Sequence, residues 1–491
     1  MAAVGNLFAS NGMSMKREFT TSVAWSTAAS WVEQIAAALI FLVIAKLIGV
    51  ESFGIVSMAF AFLFLGEFLV RDTIAEAIVE RHKIEPGRLE ATFAVLMALS
   101  VVIVLALVVI AHIAAIVYKE PIVTPLLIAA SPTVLMIAAA GVPLALLRRR
   151  LAYKTLAIRT VVGVMLGGSV GIGMALNGFG AWSLVGQRLT EIAVNSLLTF
   201  IAAGWVPRKW PSRSELALVR GLGPRVLQLR FVTLVIFQTP TVMLGYFADP
   251  RAVGLFAFAA RLAEIVLTVF VKNLQGVAQS VVAELRRKRD ATAGFYLDLT
   301  ELAAISGFVA YAGLALISYP LVELLLGPDW REAGQILPFL CLAYAVISLT
   351  SIQEAYLLAV DRPKPFLWAT LAEAVLGLIL IALASRYGPV ATAAAVAVRA
   401  LVALPLRMRA THVPEGISAL QFLRVLKAPL VLAAGMSLIV GTWRLAMLGH
   451  IPDALYVASA ILIGAGSVGL ILFCFMPGAV ARLRTFTHAS P

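Results

Sequence analysis

Apolar runs of about twenty residues, the length a helix needs to cross hydrocarbon, recur along this chain from near its start to near its end. Fourteen can be placed: 22–48, 53–79, 91–117, 122–147, 153–177, 180–205, 222–247, 252–283, 300–326, 334–359, 365–385, 388–408, 428–448 and 454–476. With 61% hydrophobic and 13% charged residues among 491, a soluble fold could not hide so much apolar surface. The spacing predicts an all-α integral membrane protein.

An even number of spans puts both termini on one side, and the basic residues say which. Alternate connections hold 25 Lys and Arg, with clusters at Arg148-Arg149-Arg150 and Arg286-Arg287-Lys288-Arg289. The opposite connections and span ends hold six: Lys46, Lys119, Arg251, Arg331, Arg386 and Arg444. The positive-inside rule places both termini in the cytoplasm. The formal charge of +13 is thereby topology, not a nucleic-acid footprint. Cys341 and Cys474 lie in apolar spans without metal-ligand spacing, and the five histidines are scattered, so a metal enzyme is not expected. Residues 1–21 are polar and basic before a first span too long for a signal h-region, and no cleaved signal peptide is expected.

Two stretches recur in register. Glu51-Ser-Phe-Gly54 opens the second span and Arg251-Ala-Val-Gly254 opens the eighth, 200 residues later. Asn177-Gly-Phe-Gly-Ala-Trp182 opens the sixth, and Tyr387-Gly-Pro-Val-Ala-Thr392 the twelfth, 210 residues later. Six-helix halves in the same orientation follow, with the last two spans outside the repeat. The expected organisation is a cytoplasmic segment 1–21, an N-lobe 22–205, a linker 206–221, a C-lobe 222–408, a linker 409–427, a final helix pair 428–476 and a cytoplasmic tail 477–491. The longer inner connections suit either amphipathic linkers or ordinary solvated loops.

The eighth span carries a polar stripe. Arg261, Glu264, Thr268, Lys272, Gln275 and Gln279 follow one another at steps of 3, 4, 4, 3 and 4. At helical pitch they project within about 80° of arc. A charge at mid-membrane costs at least ~2.5–3.5 kcal/mol against lipid, so this face should meet protein or water. Two cations against one acid suggest an anionic cargo. The first span places Ser22, Ser26, Ser30 and Glu33 on one side; the second holds Glu67 and Arg71 at i, i+4; the seventh has Arg225 and Gln228 near its inner end. Bland readings stand beside these. Glu67–Arg71, Arg188–Glu191 and Arg261–Glu264 can be intrahelical ion pairs, and Arg225 can snorkel to the surface. Arg399 sits alone mid-span with an unreadable direction; Glu33 and Glu373 suit proton or cation sites or counterions.

With Gly54 and Gly254 at span openings, Ala260-Arg-Leu-Ala-Glu264, Gly178-Phe-Gly-Ala-Trp-Ser-Leu-Val-Gly-Gln187 and Leu326-Gly-Pro-Asp-Trp330, the chain resembles Wzx-type polysaccharide flippases. These belong to the multidrug/oligosaccharidyl-lipid/polysaccharide exporter superfamily. The resemblance implies two lobes around a cavity lined by spans 1, 2, 7 and 8, and alternating access that carries undecaprenyl-diphosphate-linked oligosaccharide to the outer leaflet. Arg261, Lys272, Arg225 and Arg71 would then hold the diphosphate. Glu33, Ser26, Ser30, Glu67, Glu264, Thr268, Gln275, Gln279 and Gln228 would line the cavity. The first span, with Glu33 and serines but no arginine, departs from the cation pattern of the related lipid II flippases.

The expected setting is the bacterial inner membrane, as a monomer among membrane lipids, with polysaccharide polymerase or export machinery as partners and no nucleic acid. No cofactor is expected; whether a proton or sodium ion is coupled stays open. No nucleotide-binding glycine loop is present. A drug/cation antiporter of the same superfamily would favour acidic cavity residues. A membrane glycosyltransferase or polymerase would need a substantial outer loop with catalytic acids or bases, whereas the outer loops here are short. No enzymatic activity is expected.

Overall fold

Backbone polar groups inside hydrocarbon must find partners within their own segment, so each apolar run folds as helix. The computed structural model describes the backbone except residues 1, 72–85, 151, 218–223, 273, 276–280, 283–284, 286–292, 361–362, 448–449 and 476–491. Side chains are described for the remainder apart from 2–32, 86, 153, 217, 224–230, 358, 363–366, 413–414 and 474–475. Helix α1 (Ala2–Arg71) contains the first two spans and turns at Gly49, whose φ of +79° an L side chain rarely adopts. There follow α2 (Pro86–Tyr118), α3 (Val123–Ala130), α4 (Pro132–Arg149), α5 (Tyr153–Leu176), α6 (Trp182–Ala203) and the short α7 (Arg213–Ala217). Then come α8 (Pro224–Phe247), α9 (Pro250–Leu267), α10 (Ala293–Leu326), α11 (Ala333–Ala359) and α12 (Pro363–Ala384). The series ends with α13 (Pro389–Glu415), α14 (Ala419–Met447) and α15 (Asp453–Phe475).

The described residues of the fourteen expected spans are largely helical, α1 supplying two spans and α3 with α4 together supplying the fourth. Eleven helices among the described residues are long and apolar enough to cross a membrane, one of them the two-armed α1, and Phe231–Phe247 is a shorter apolar one. The chain is a multi-pass membrane protein. One difference from the sequence expectation lies at 409–427, read there as a linker. Helix α13 continues to Glu415 and α14 starts at Ala419, with the break at Gly416.

The chain divides into two compact units, residues 1–231 and 232–491. In the first, α5 and α4 both pack against α6, and α2 packs against α4. Ile40, Ile44 and Val164 are buried where α1 meets α5. In the second, α12 packs along α13, α11 crosses α13, and α10 meets α11, which reproduces the same pairings one repeat later. Helices α14 and α15 add to α10 through Ile317, Met436, Val440 and Tyr456.

Prolines inside these helices free carbonyls, because each lacks the N–H that the i−4 oxygen expects. Tertiary partners take up two of them. Arg399 Nη1 on α13 donates to Ile236 O at 3.1 Å, the oxygen released by Pro240 in α8. Arg444 Nη1 on α14 donates to Leu316 O at 3.0 Å, released by Pro320 in α10. Arg399 reaches across α12 at Gly377, where an added Cβ would lie 2.6 Å from Arg399 Cδ. The Gly377→Ala variant should therefore push the guanidinium off its carbonyl and cost about 1–3 kcal/mol. Thermal unfolding in detergent checks this: a midpoint equal to wild type would show that the arginine stem can slide aside.

Candidate functional site: a cationic face on the second unit

Helix α9 starts where Asp249 caps it, its Oδ1 accepting the Ala252 N–H at 2.7 Å, and Pro250 fills the first position, where no N–H is needed. Val253, Phe256, Phe258, Ala259, Ala263 and Leu267 bury one side. Phe258 meets Trp330 with ring centroids 4.9 Å apart, and Tyr311 OH donates to Ala263 O at 3.0 Å. The other side of α9 holds Arg261 and Glu264, and Thr268 and Lys272 follow in the next turn.

Those charges touch. Arg261 Nη1 lies 2.8 Å from Glu264 Oε2, and Lys272 Nζ lies 3.7 Å from Glu264 Oε1. In a straight α-helix, residues eight apart are separated by about 12 Å of rise. Between Glu264 and Lys272 the backbone widens into a π-turn over Thr268–Lys272, and the Thr268 hydroxyl donates to Glu264 O at 2.9 Å. The side chains of Arg261, Glu264 and Lys272 remain 45%, 40% and 47% exposed, and the cluster carries a net positive charge. Gln275, past the π-turn, is half-buried. Gln279 and the side chains of Arg225, Gln228, Ser26 and Ser30 lie outside the described residues.

The first unit treats its expected site residues differently. Glu67 is buried and accepts Thr133 Oγ1 at 2.8 Å and Arg188 through Nε at 3.3 Å and through Nη2. Arg71, 43% exposed, is more distant at 3.6 Å. Glu67 is thus a buried counterion that joins α1, α4 and α6. Arg188, read from sequence as a partner of Glu191, has Glu67 as its main partner and Glu191 at 3.8 Å. Glu33 is half-buried and feels the charges of Glu191 and Arg159.

Two further charged groups take their roles from partners distant in sequence. Arg159 on α5 donates to Thr199 Oγ1 at 2.7 Å, while its Nε is buried without a hydrogen-bond partner. An arginine six residues into an apolar span with no acid nearby in sequence was the available signal. Arg399, whose direction was unreadable, is buried; its Nε lies 3.6 Å from Glu373 Oε1, and Arg407 Nε lies 3.1 Å from Glu373 Oε2. Glu373 is accordingly a counterion inside the second unit.

A family model described as polysaccharide biosynthesis protein matches residues 43–335. The chain belongs to that family. This polysaccharide biosynthesis family member is 22% identical over 342 residues to the succinoglycan biosynthesis transport protein ExoT of Rhizobium meliloti (strain 1021), covering 68% of this chain and 67% of that one. Its fold is similar to lipid II flippase MurJ in an inward closed conformation, with TM-score 0.75 at 14% identity over 93% of this chain and 99% of that one. It is also similar to an inward-facing multidrug resistance MATE family transporter of the MOP superfamily, with TM-score 0.56 at 16% identity over 80% and 100% of the two chains. The family member thus shares the helical fold of those two proteins.

Proposed function

We propose that this protein is a flippase, not an enzyme, that carries an undecaprenyl-diphosphate-linked oligosaccharide from the cytoplasmic to the outer leaflet of the bacterial inner membrane. Both termini would lie in the cytoplasm. One observation carries the reading: a membrane-spanning helix presents Arg261 and Lys272 on an exposed face with a single acid between them. Such charges are too costly to leave in lipid, so they face water or protein, where an anion would find them. Guanidinium and ammonium groups bind phosphate oxygens by charge-assisted hydrogen bonds. The succinoglycan transport role named for the relative and the lipid II flippase named for the structural neighbour point the same way.

A lipid diphosphate has a head that cannot cross hydrocarbon and a tail that cannot enter water. A cationic path open at its side serves both, with the head inside and the polyprenol in lipid. With the cell interior negative, outward movement of anionic charge is favourable by about 2.3 kcal/mol per charge per 100 mV, which can drive export without ATP. A drug/cation antiporter would be better served by a net acidic face, and the Arg261–Glu264–Lys272 cluster of the span Pro250–Lys272 has the reverse sign.

The test is transport itself. Cells lacking the gene should trap lipid-linked repeat units in the inner leaflet, and the wild-type gene should release them. The double variant Arg261→Ala/Lys272→Ala, made at normal levels, should lower export at least about tenfold, the effect of ~1.4 kcal/mol lost in binding. Export by that variant at the wild-type rate would remove the proposed phosphate site.

A further inference from the structure

We propose that Glu264 is a built-in substitute for the cargo's phosphate, gathering Arg261 and Lys272 when the site is empty and competing for them when cargo is bound, so that the cargo leaves. This rests on the flippase reading and adds a release device to the same site. Three observations carry it. Both oxygens of one carboxylate are engaged, Oε2 by Arg261 at 2.8 Å and Oε1 by Lys272 at 3.7 Å. All three side chains are exposed at 40% or more, so the carboxylate can swing away without being stranded in a core. A π-turn lies on the segment that brings Lys272 to an acid eight residues back. Such turns are rare and concentrate at functional sites.

The physics sets the sign. Two cations on one face repel, and an anion between them holds them together. An incoming diphosphate must displace that anion, so part of its binding free energy goes into breaking Glu264's contacts. Binding is weakened and departure is quickened, the balance a translocation site needs. Neutralising the carboxylate should tighten binding and slow delivery.

The experiment uses the full-length protein in lipid nanodiscs, with undecaprenyl diphosphate as the binding probe, and in proteoliposomes, with flipping of the same lipid as the second readout. Glu264→Gln should bind the probe at least about tenfold more tightly, a change of ~1.4 kcal/mol, and flip it more slowly than wild type. Glu264→Ala carries the same expectation should the amide variant not fold, and Glu264→Asp should stay near wild type in both readouts. If Arg261→Ala weakens binding while both neutral variants bind no more tightly than wild type, the release role is wrong and the phosphate site stands. If wild type, Arg261→Ala and Lys272→Ala all bind the probe equally, the phosphate site beneath the proposal is wrong as well.

Discussion

Replacing Arg399 with methionine is expected to destabilise the second unit by about 3–5 kcal/mol, the range for removing one partner of a buried ion pair. The side chain is 2% exposed, and its guanidinium holds two unrelated groups together, the Ile236 carbonyl on α8 and the Glu373 carboxylate on α12. Methionine fills much of the volume but leaves Ile236 O without a donor, which by itself costs about 1–3 kcal/mol. It also leaves Glu373 to Arg407 alone. Lysine should recover only part of the loss, because a single ammonium does not present the fork that reaches both acceptors. The apparent unfolding midpoint in detergent and the half-life at fixed temperature report the effect. A methionine variant as durable as wild type would show that the carbonyl freed by Pro240 finds another donor.

Glu67→Ala should do comparable damage to the first unit. Removing the carboxylate strands Arg188, which leans on Phe64 with its guanidinium carbon 5.6 Å from the ring centroid and, among the described residues, keeps the longer contact to Glu191 as its remaining ion pair. A cost of about 3–5 kcal/mol follows from the unpaired charge. Arg71→Ala removes the other arginine near Glu67, and because that side chain is 43% exposed and 3.6 Å away, its loss should cost no more than about 1 kcal/mol. The comparison is decisive. If the two variants unfold alike, the pair along α1 dominates and the contact between helices is secondary.

The contrast between these arginines shows where sequence reasoning stops. Arg71 stands four residues from Glu67, and i, i+4 spacing makes that pair visible in the sequence. Arg188 stands 121 residues from Glu67, and no local rule connects them; only the packing of α6 beside α1 brings the guanidinium in. Arg399 is the same case, since its partner oxygen belongs to a backbone carbonyl 163 residues earlier. A carbonyl has no side-chain signature. The freed oxygen could be inferred from Pro240, but the identity of its donor could not.

The α9 part of the stripe was legible because its geometry is local: helical pitch alone puts Arg261 and Glu264 on one side, and buried residues of α9 fall on the other. The π-turn was not legible, since Thr-Val-Phe-Val-Lys carries no proline or glycine to mark it. Local pairing rules join residues three or four apart, so the contact between Lys272 and Glu264, eight apart, was not legible either.

By itself the sequence determined that this is a multi-pass helical membrane protein with a repeated six-helix plan, and that a cationic stripe runs along its eighth span. Those properties follow from the length of apolar runs and from periodicities set by backbone geometry, which neighbouring helices do not alter. The tertiary structure alone decided which buried charges are counterions and which remain open. That depends on groups more than a hundred residues apart, and on whether packing brings a donor within about 3 Å of an acceptor that would otherwise stay unpaired.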